Sequence, residues 1–283
     1  MRNLITRTVS GLVYIALLIS SLFWHPIAYF VLFSFFMIVM MYEYLTITQK
    51  EKHPVLWIAA ILTGWGVFLL TFLNSYNGLP TEFLLIPVAA IPVLYSAMLY
   101  CYPNKEESGY KGHSYLLSML LYIALPFAMI NYLAFSGGPF DGKLVLSLFI
   151  MLWSYDVGAY LIGSSLGKVV KKKLFPSISP NKSWAGLFGG YITTILAGYI
   201  VYFFELMPYS LIEISTIAFL IATFGTFGDL VESQLKRNFN IKDSGKIMPG
   251  HGGLLDRLDG AIIAFPVAIA YILIFVNDFR LLS

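Results

Sequence analysis

The sequence predicts an all-α fold, a polytopic integral membrane protein with about nine transmembrane helices, and three observations carry that expectation. The chain has 283 residues, of which 58% are hydrophobic and only 12% charged, with a mean hydropathy of +0.77. A soluble globule of that size would show far more polar surface. Apolar runs long enough to cross a bilayer core, about 20 residues each, recur along the whole chain at roughly 8–24, 27–45, 55–73, 83–101, 115–134, 144–163, 184–204, 211–230 and 258–276. The basic residues are also asymmetric: with the amino terminus inside, all of the 18 Lys and Arg except Lys143 and Arg280 fall on one face. The positive-inside rule makes that face cytoplasmic. The net charge of +3 is then a basic cytoplasmic surface that attracts anionic headgroups and nucleotides.

The first run follows Arg2 and Arg7 as a secretory signal would, but no small-residue cleavage site follows and a second span comes at once, so it reads as a helix. Cys101 is the only cysteine, which excludes an intramolecular disulfide and a cysteine-based zinc site. Spans one to five, within residues 1–135, read as a scaffold joined by polar turns such as 74–80 and 102–112. Glu43, between Tyr42 and Tyr44, reads there as an interfacial residue. Residues 136–283 carry the last four spans and the polar cytoplasmic segments.

Span six places Asp156 within Trp153–Tyr160, where a carboxylate costs a few kcal/mol unless it faces a partner or water. A polar cavity is the expected setting, although Gly158, Ala159, Gly163 and Gly167 also suit close helix packing. The connection that follows is basic, with Lys168, Lys171, Lys172 and Lys173 as topology determinants. In Ser179-Pro180-Asn181-Lys182-Ser183 a proline fixes a turn while hydroxyls and an ammonium meet the start of span seven. Such a helix start suits phosphate oxygens, and Ser183 equally suits an ordinary cap.

The most polar stretch runs from Ser233 to Asp259, 27 residues containing Lys236, Arg237, Lys242, Asp243, Lys246, His251, Asp256, Arg257 and Asp259. If span eight continues as helix past the membrane, Asp229, Ser233 and Lys236 or Arg237 share one face. Gly250, Gly252 and Gly253 let backbone amides approach an anion closely. The spacing is neither a Walker A loop nor a dinucleotide fingerprint. Asp256 and Asp259 are three apart and share a face at the head of span nine.

Asp229, Asp256 and Asp259 form an oxygen-only set that suits a hard cation, and magnesium commonly takes one or two carboxylates together with substrate phosphates. Nucleotidyl transfer mainly needs positioning and neutralised charge. A phosphate anion is already a nucleophile, so His251 reads as a phosphate ligand and not as a base.

The pattern S-x-L-K-R-x(4)-K-D-x-G-x(2)-M-P-G-H-G-G-L-x-D-R-L-D over Ser233–Asp259 resembles the signature of phosphatidate cytidylyltransferases, also called CDP-diacylglycerol synthases. The resemblance extends to Asp156–Tyr160 and Ile178–Ser183, and reaches the first five spans by hydropathy alone. It implies conversion of CTP and phosphatidate to CDP-diacylglycerol and pyrophosphate, with Mg2+ and possible participation of a second, monovalent cation. It further implies a homodimer in the cell inner (plasma) membrane that binds membrane lipid and no nucleic acid, with the phosphatidate tails remaining in lipid. Carried over by position, Asp229, Asp256 and Asp259 are metal carboxylates, while Lys236, Arg237, Lys242, His251 and Arg257 contact phosphate. Asp156, Ser179, Lys182, Ser233, Gly252 and Gly253 border the substrates. The family commonly reads S-P-K-K-T-x-E-G where this chain has Asn181 and, in place of the glutamate, Ala185. Two other readings are a CTP-dependent kinase of a polyprenol- or phytol-like alcohol and an ion-coupled transporter lined by Asp156 and Asp229.

Overall fold

The computed structural model describes the backbone of residues 2–49, 53–97, 109–166 and 172–277, and their side chains except at 2–5 and 109–113. Cys101, Gly167, Lys168, Lys171 and Arg280 lie outside the described residues. Among the described residues, eight helical segments are long and apolar enough to cross a bilayer. They are α1 (Arg2–Trp24), α2 (Pro26–Thr48), α3 (Pro54–Asn77), the segment Ser114–Ala134, α7 (Gly142–Leu166), α8 (Trp184–Phe203), α9 (Leu211–Asn238) and a last segment, Leu255–Asn277. Ser114–Ala134 joins α5 (Gly109–Met119), a π-helical turn and α6 (Leu125–Ala134), and the last segment joins α10 (Leu255–Tyr271) to a second π-helical turn. The remaining expected span, 83–101, coincides with a shorter apolar segment, Thr81–Ala97, that contains α4 (Leu85–Ala97). This bears out the all-α polytopic fold, with nine as an approximate count.

Where the sequence reads as a turn, residues 173–183 form a small antiparallel hairpin of β1 (Lys173–Phe175) and β2 (Ser179–Ser183), with Lys173 opposite Ser183 and Phe175 opposite Ser179. Its end leads directly into α8. Ser183 accepts from the Gly186 amide at 3.2 Å, so one of the helix's orphan donors is satisfied.

The chain divides into two compact units. The first comprises residues up to Phe140 together with Ile241–Arg257. Its core is a cluster of rings in which Tyr29 and Phe33 lie 4.5 Å apart, Phe30 and Phe72 4.7 Å, and Phe30 stacks on Phe68 at 5.6 Å. One polar link runs through this core: the Tyr29 hydroxyl donates to Asn131 Oδ1 at 2.8 Å, and Asn131 Nδ2 donates to the Phe68 carbonyl and to Thr71 Oγ1. A buried amide with its partners supplied costs little and fixes how these helices register.

The second unit comprises Asp141–Asn240 and residues from Leu258 onward. Small residues let its helices approach: Gly158 packs against Thr193, and Gly190 against the Tyr155 ring. Lipid tails supply no hydrophobic drive between helices, so such close contacts and interhelical hydrogen bonds hold the bundle. Tyr155 and Thr226 share a buried hydroxyl pair at 2.5 Å, and Thr193 Oγ1 donates to the Ser154 carbonyl at 2.8 Å.

Candidate active site

In the second unit, α9 runs unbroken to Asn238 and so carries the polar face of Asp229 beyond the apolar part of the span. Ser233 Oγ donates to Asp229 Oδ1 at 3.2 Å, the expected i,i+4 relation. The other oxygen, Oδ2, meets Lys182 Nζ at 2.6 Å, which brings the hairpin onto the helix. Arg237 on the same helix reaches back to the Ile178 carbonyl beside Ser179 through a long contact of 3.4 Å. Lys236 lies 2.5 Å from Glu232, a fully buried carboxylate one turn earlier, so its charge is matched within α9.

Helices α9 and α10 come together at Gly228, where a side chain would strike the backbone of Asp259 and Gly260. That close approach brings Asp259 within electrostatic range of Asp229, and Asp156 and Lys182 act on it as well. Asp259 Oδ1 accepts from the Gly260 amide at 2.7 Å. Asp156 is exposed on α7. Three carboxylates and one lysine therefore share this end of the unit and give it an excess of negative charge.

The first unit holds the loop between Ile241 and Leu254, and here the wiring differs from the expected anion cradle. Gly250 and Gly252 adopt positive φ of 76° and 85°, which closes a tight turn in which Met248 and Gly252 pair through backbone hydrogen bonding. The Gly253 amide donates to Asp256 Oδ2 at 2.8 Å. Ser244 gives the same oxygen its amide at 2.8 Å and its hydroxyl at 2.9 Å. The anion that this glycine amide meets is the protein's own carboxylate. A side chain at Gly252 would strike Asp256, and one at Gly253 would strike Ser244 and Glu43.

Glu43 is the residue that the sequence reading misplaced. It is 6% exposed, not interfacial, because the amino terminus of α10 needs an acceptor. Its carboxylate accepts from Leu254 N at 3.1 Å, Leu255 N at 2.9 Å and Ser244 Oγ at 3.2 Å. Ser244 has one hydroxyl proton and therefore serves one of the two carboxylates, Glu43 or Asp256, at a time. The one available signal was a glutamate in an otherwise apolar span without a charged neighbour.

His251 sits at the rim of the same unit. Its Nδ1 lies 2.8 Å from Ser10 Oγ, and that hydroxyl also reaches the carbonyls of Arg7 and Pro249 at 3.0 Å. When Ser10 donates to Nδ1, Nε2 carries the imidazole proton and can donate to an anion; when that hydroxyl proton goes to a carbonyl, Nδ1 carries the ring proton and Nε2 is the acceptor. Burial, then the Arg257 and Arg7 guanidiniums, holds the imidazole pKa below its ordinary value, which favours the neutral ring at pH 7. Arg257, Lys242 and Lys246 are exposed. Ser10, Arg7 and Ser244 were not read as site residues from sequence, and Glu43 was read only as interfacial.

Among the described residues, no group of three or more His, Cys, Asp or Glu side chains is gathered as a metal site. Asp229 and Asp259 belong to the second unit and Asp256 to the first, the division falling within α10 after Arg257. The donors on Asp256 Oδ2 give it an evident task inside the loop.

Comparison with known proteins adds the family. A phosphatidate cytidylyltransferase of Staphylococcus epidermidis is 34% identical over 177 residues, which cover 62% of this chain and 65% of that protein. The chain thus spans 65% of that relative's length. One of Bacillus subtilis is 44% identical over 117 residues, or 41% and 42% of the two chains. One of Staphylococcus saprophyticus is 31% identical over 210 residues, or 74% and 77%. The profile of the Cytidylyltransferase family matches residues 5–275, nearly the whole chain, and by that match the protein belongs to the Cytidylyltransferase family.

Proposed function

We propose that the protein transfers the cytidylyl group of CTP to phosphatidate, giving CDP-diacylglycerol and pyrophosphate. The observation that carries this reading is the polar end of the second unit, where Lys182 and Ser233 hold Asp229 in place and α10 presents Asp259 beside it. A phosphate oxygen of the lipid attacks the α-phosphorus of CTP, a new P–O bond forms, and the bond to the β-phosphate oxygen breaks as pyrophosphate departs. Lys182, with Arg237 close to Ser179, supplies positive charge to the triphosphate, and Asp156 and Ser233 border it. Lys236 in the second unit, and Lys242, His251 and Arg257 in the first, are the further phosphate contacts of this reading.

Asp229 and Asp259 are the residues that would hold Mg2+. An oxygen-only pair carrying excess negative charge fits a hard cation, since magnesium commonly binds one or two carboxylates and completes its shell with phosphates and water. When bound, it supplies charge neutralisation at the phosphates. Asp256, with Gly252 and Gly253, keeps the loop of the first unit in shape. A monovalent cation next to the first belongs to the same reading, as does a homodimer without affinity for nucleic acid. The basic asymmetry supports a plasma-membrane orientation with the amino terminus and the site in the cytoplasm.

Purified protein given CTP labelled at the α-phosphate and phosphatidate micelles tests this. The expected result is label in the lipid product. Label remaining in CDP with a phosphorylated alcohol as product would replace the transferase by a lipid kinase.

A further inference from the structure

Within the first unit, α1, α2 and the signature loop enclose a cleft of about 630 Å³, inside the ~300–1,000 Å³ range of small-molecule sites. Its walls are almost wholly apolar. Val9, Val13 and Leu17 are one turn apart along α1, a strip of roughly 12 Å at 1.5 Å per residue. Phe35 of α2 and Met248 and Leu254 of the loop face the same space. Val9, Val13, Leu17 and Phe35 each keep about half their surface open (51–54%), so the cleft is accessible from the side.

One end of this strip is different in character. Ser10 ties α1 to His251 and Pro249, the Arg7 side chain lies against Gly250, and the guanidiniums of Arg7 and Arg257 both act on the imidazole. An apolar cleft whose lining residue Ser10 bonds to His251, with the Arg7 and Arg257 guanidiniums acting on that imidazole, matches an amphiphile with an anionic head and an alkyl tail. A partner helix would bury the cleft but leave the guanidiniums unmatched.

We infer that this cleft seats one acyl chain of the lipid substrate, with the phosphate of that lipid at Arg7, His251 and Arg257. The inference rests on the proposed cytidylyl transfer for the identity of the lipid. It alters the expectation that both tails remain in the bilayer: one chain is held against α1, and the signature loop forms part of its wall. Chain recognition and the phosphate-contacting loop are then the same structural piece.

A phosphatidate carrying a photoreactive diazirine midway along one chain, bound to the full-length protein in nanodiscs, tests the assignment by peptide mapping. The expected adducts lie on Val9–Leu17, Phe35–Phe36 and Ile247–Leu254, and disappear with excess phosphatidate but not with phosphatidylcholine. Adducts elsewhere, adducts that phosphatidate does not displace, or no adduct would overturn it. The same samples assayed with labelled CTP separate the two ideas, because absent turnover counts against the proposed reaction while adduct position judges the cleft. As a second arm, Val13→Trp should raise the KM for phosphatidate about tenfold, the loss of burial of roughly two methylenes, and leave the KM for CTP unchanged. An unchanged phosphatidate KM in folded Val13→Trp would contradict the assignment, and if that variant does not fold, the adduct map decides.

Discussion

Glu43 links α2 to a segment two hundred residues later, and a single side chain there decides how the signature loop closes. Replacing it with alanine leaves the amides of Leu254 and Leu255 without their acceptor in a buried place. Unpaired buried groups of this kind cost about 1–3 kcal/mol. Glu43→Ala should therefore lower the unfolding temperature in detergent and reduce turnover, whereas Glu43→Gln should retain part of both. Thermal unfolding followed by intrinsic fluorescence, with turnover on the same samples, checks this. His251 gives a pH dependence with a definite sign. Its pKa is held below the ordinary 6.5, so the unfolded chain takes up the proton first as pH falls. The stability tied to the neutral ring is present above that value and is lost as pH drops through the folded pKa. Between pH 7.5 and 5.5 the wild type should lose more unfolding temperature than His251→Gln, and equal losses would contradict the assignment.

At the scale of elements, the close approach of α9 and α10 depends on Gly228. Gly228→Ala would push the Asp259 backbone away from α9, and such overpacking typically costs about 1–3 kcal/mol. Because Asp229 and Asp259 ride on these two helices, activity should fall far more than stability, by about 100-fold or more for a displacement near 1 Å. Turnover and unfolding temperature measured side by side decide between a packing role and a site role. These helices were largely legible in the sequence, since a bilayer demands about 20 apolar residues per crossing and no other local rule competes. The continuation of α9 to Asn238 was a condition of the sequence reading that the helix meets, and the cap at Ser183 was legible from its position before span seven. The hairpin at 173–183 was not, because its strands are short, polar and rich in Lys, Pro and Asn, none of which favours a strand.

At the scale of the whole molecule, hydropathy showed the membrane class, and basic asymmetry supplies the orientation to be tested, but neither revealed the two compact units. The loop 241–257 counts with the amino-terminal unit because Glu43 and Ser10 bind it, and pairings across two hundred residues leave no periodic trace in one sequence. For the same reason Asp229, Asp256 and Asp259 looked equivalent as ligands, although Asp256 Oδ2 receives three donors within its loop. Orientation can be measured in a Cys101→Ser background. An impermeant maleimide should label Gly137→Cys on intact cells, and Asn240→Cys only after permeabilisation. The reverse pattern would place the site on the outer face.

The most direct measurement for the whole account is transfer of α-labelled CTP into lipid as Mg2+ is titrated, in wild type and in folded Asp259→Asn. The account predicts that chelator abolishes transfer by the wild type and added Mg2+ restores it, while Asp259→Asn stays about 100-fold or more below wild type at every concentration, as loss of one charge-stabilising group in an active site implies. Transfer at the wild-type rate by Asp259→Asn, with the same dependence on Mg2+, would contradict it.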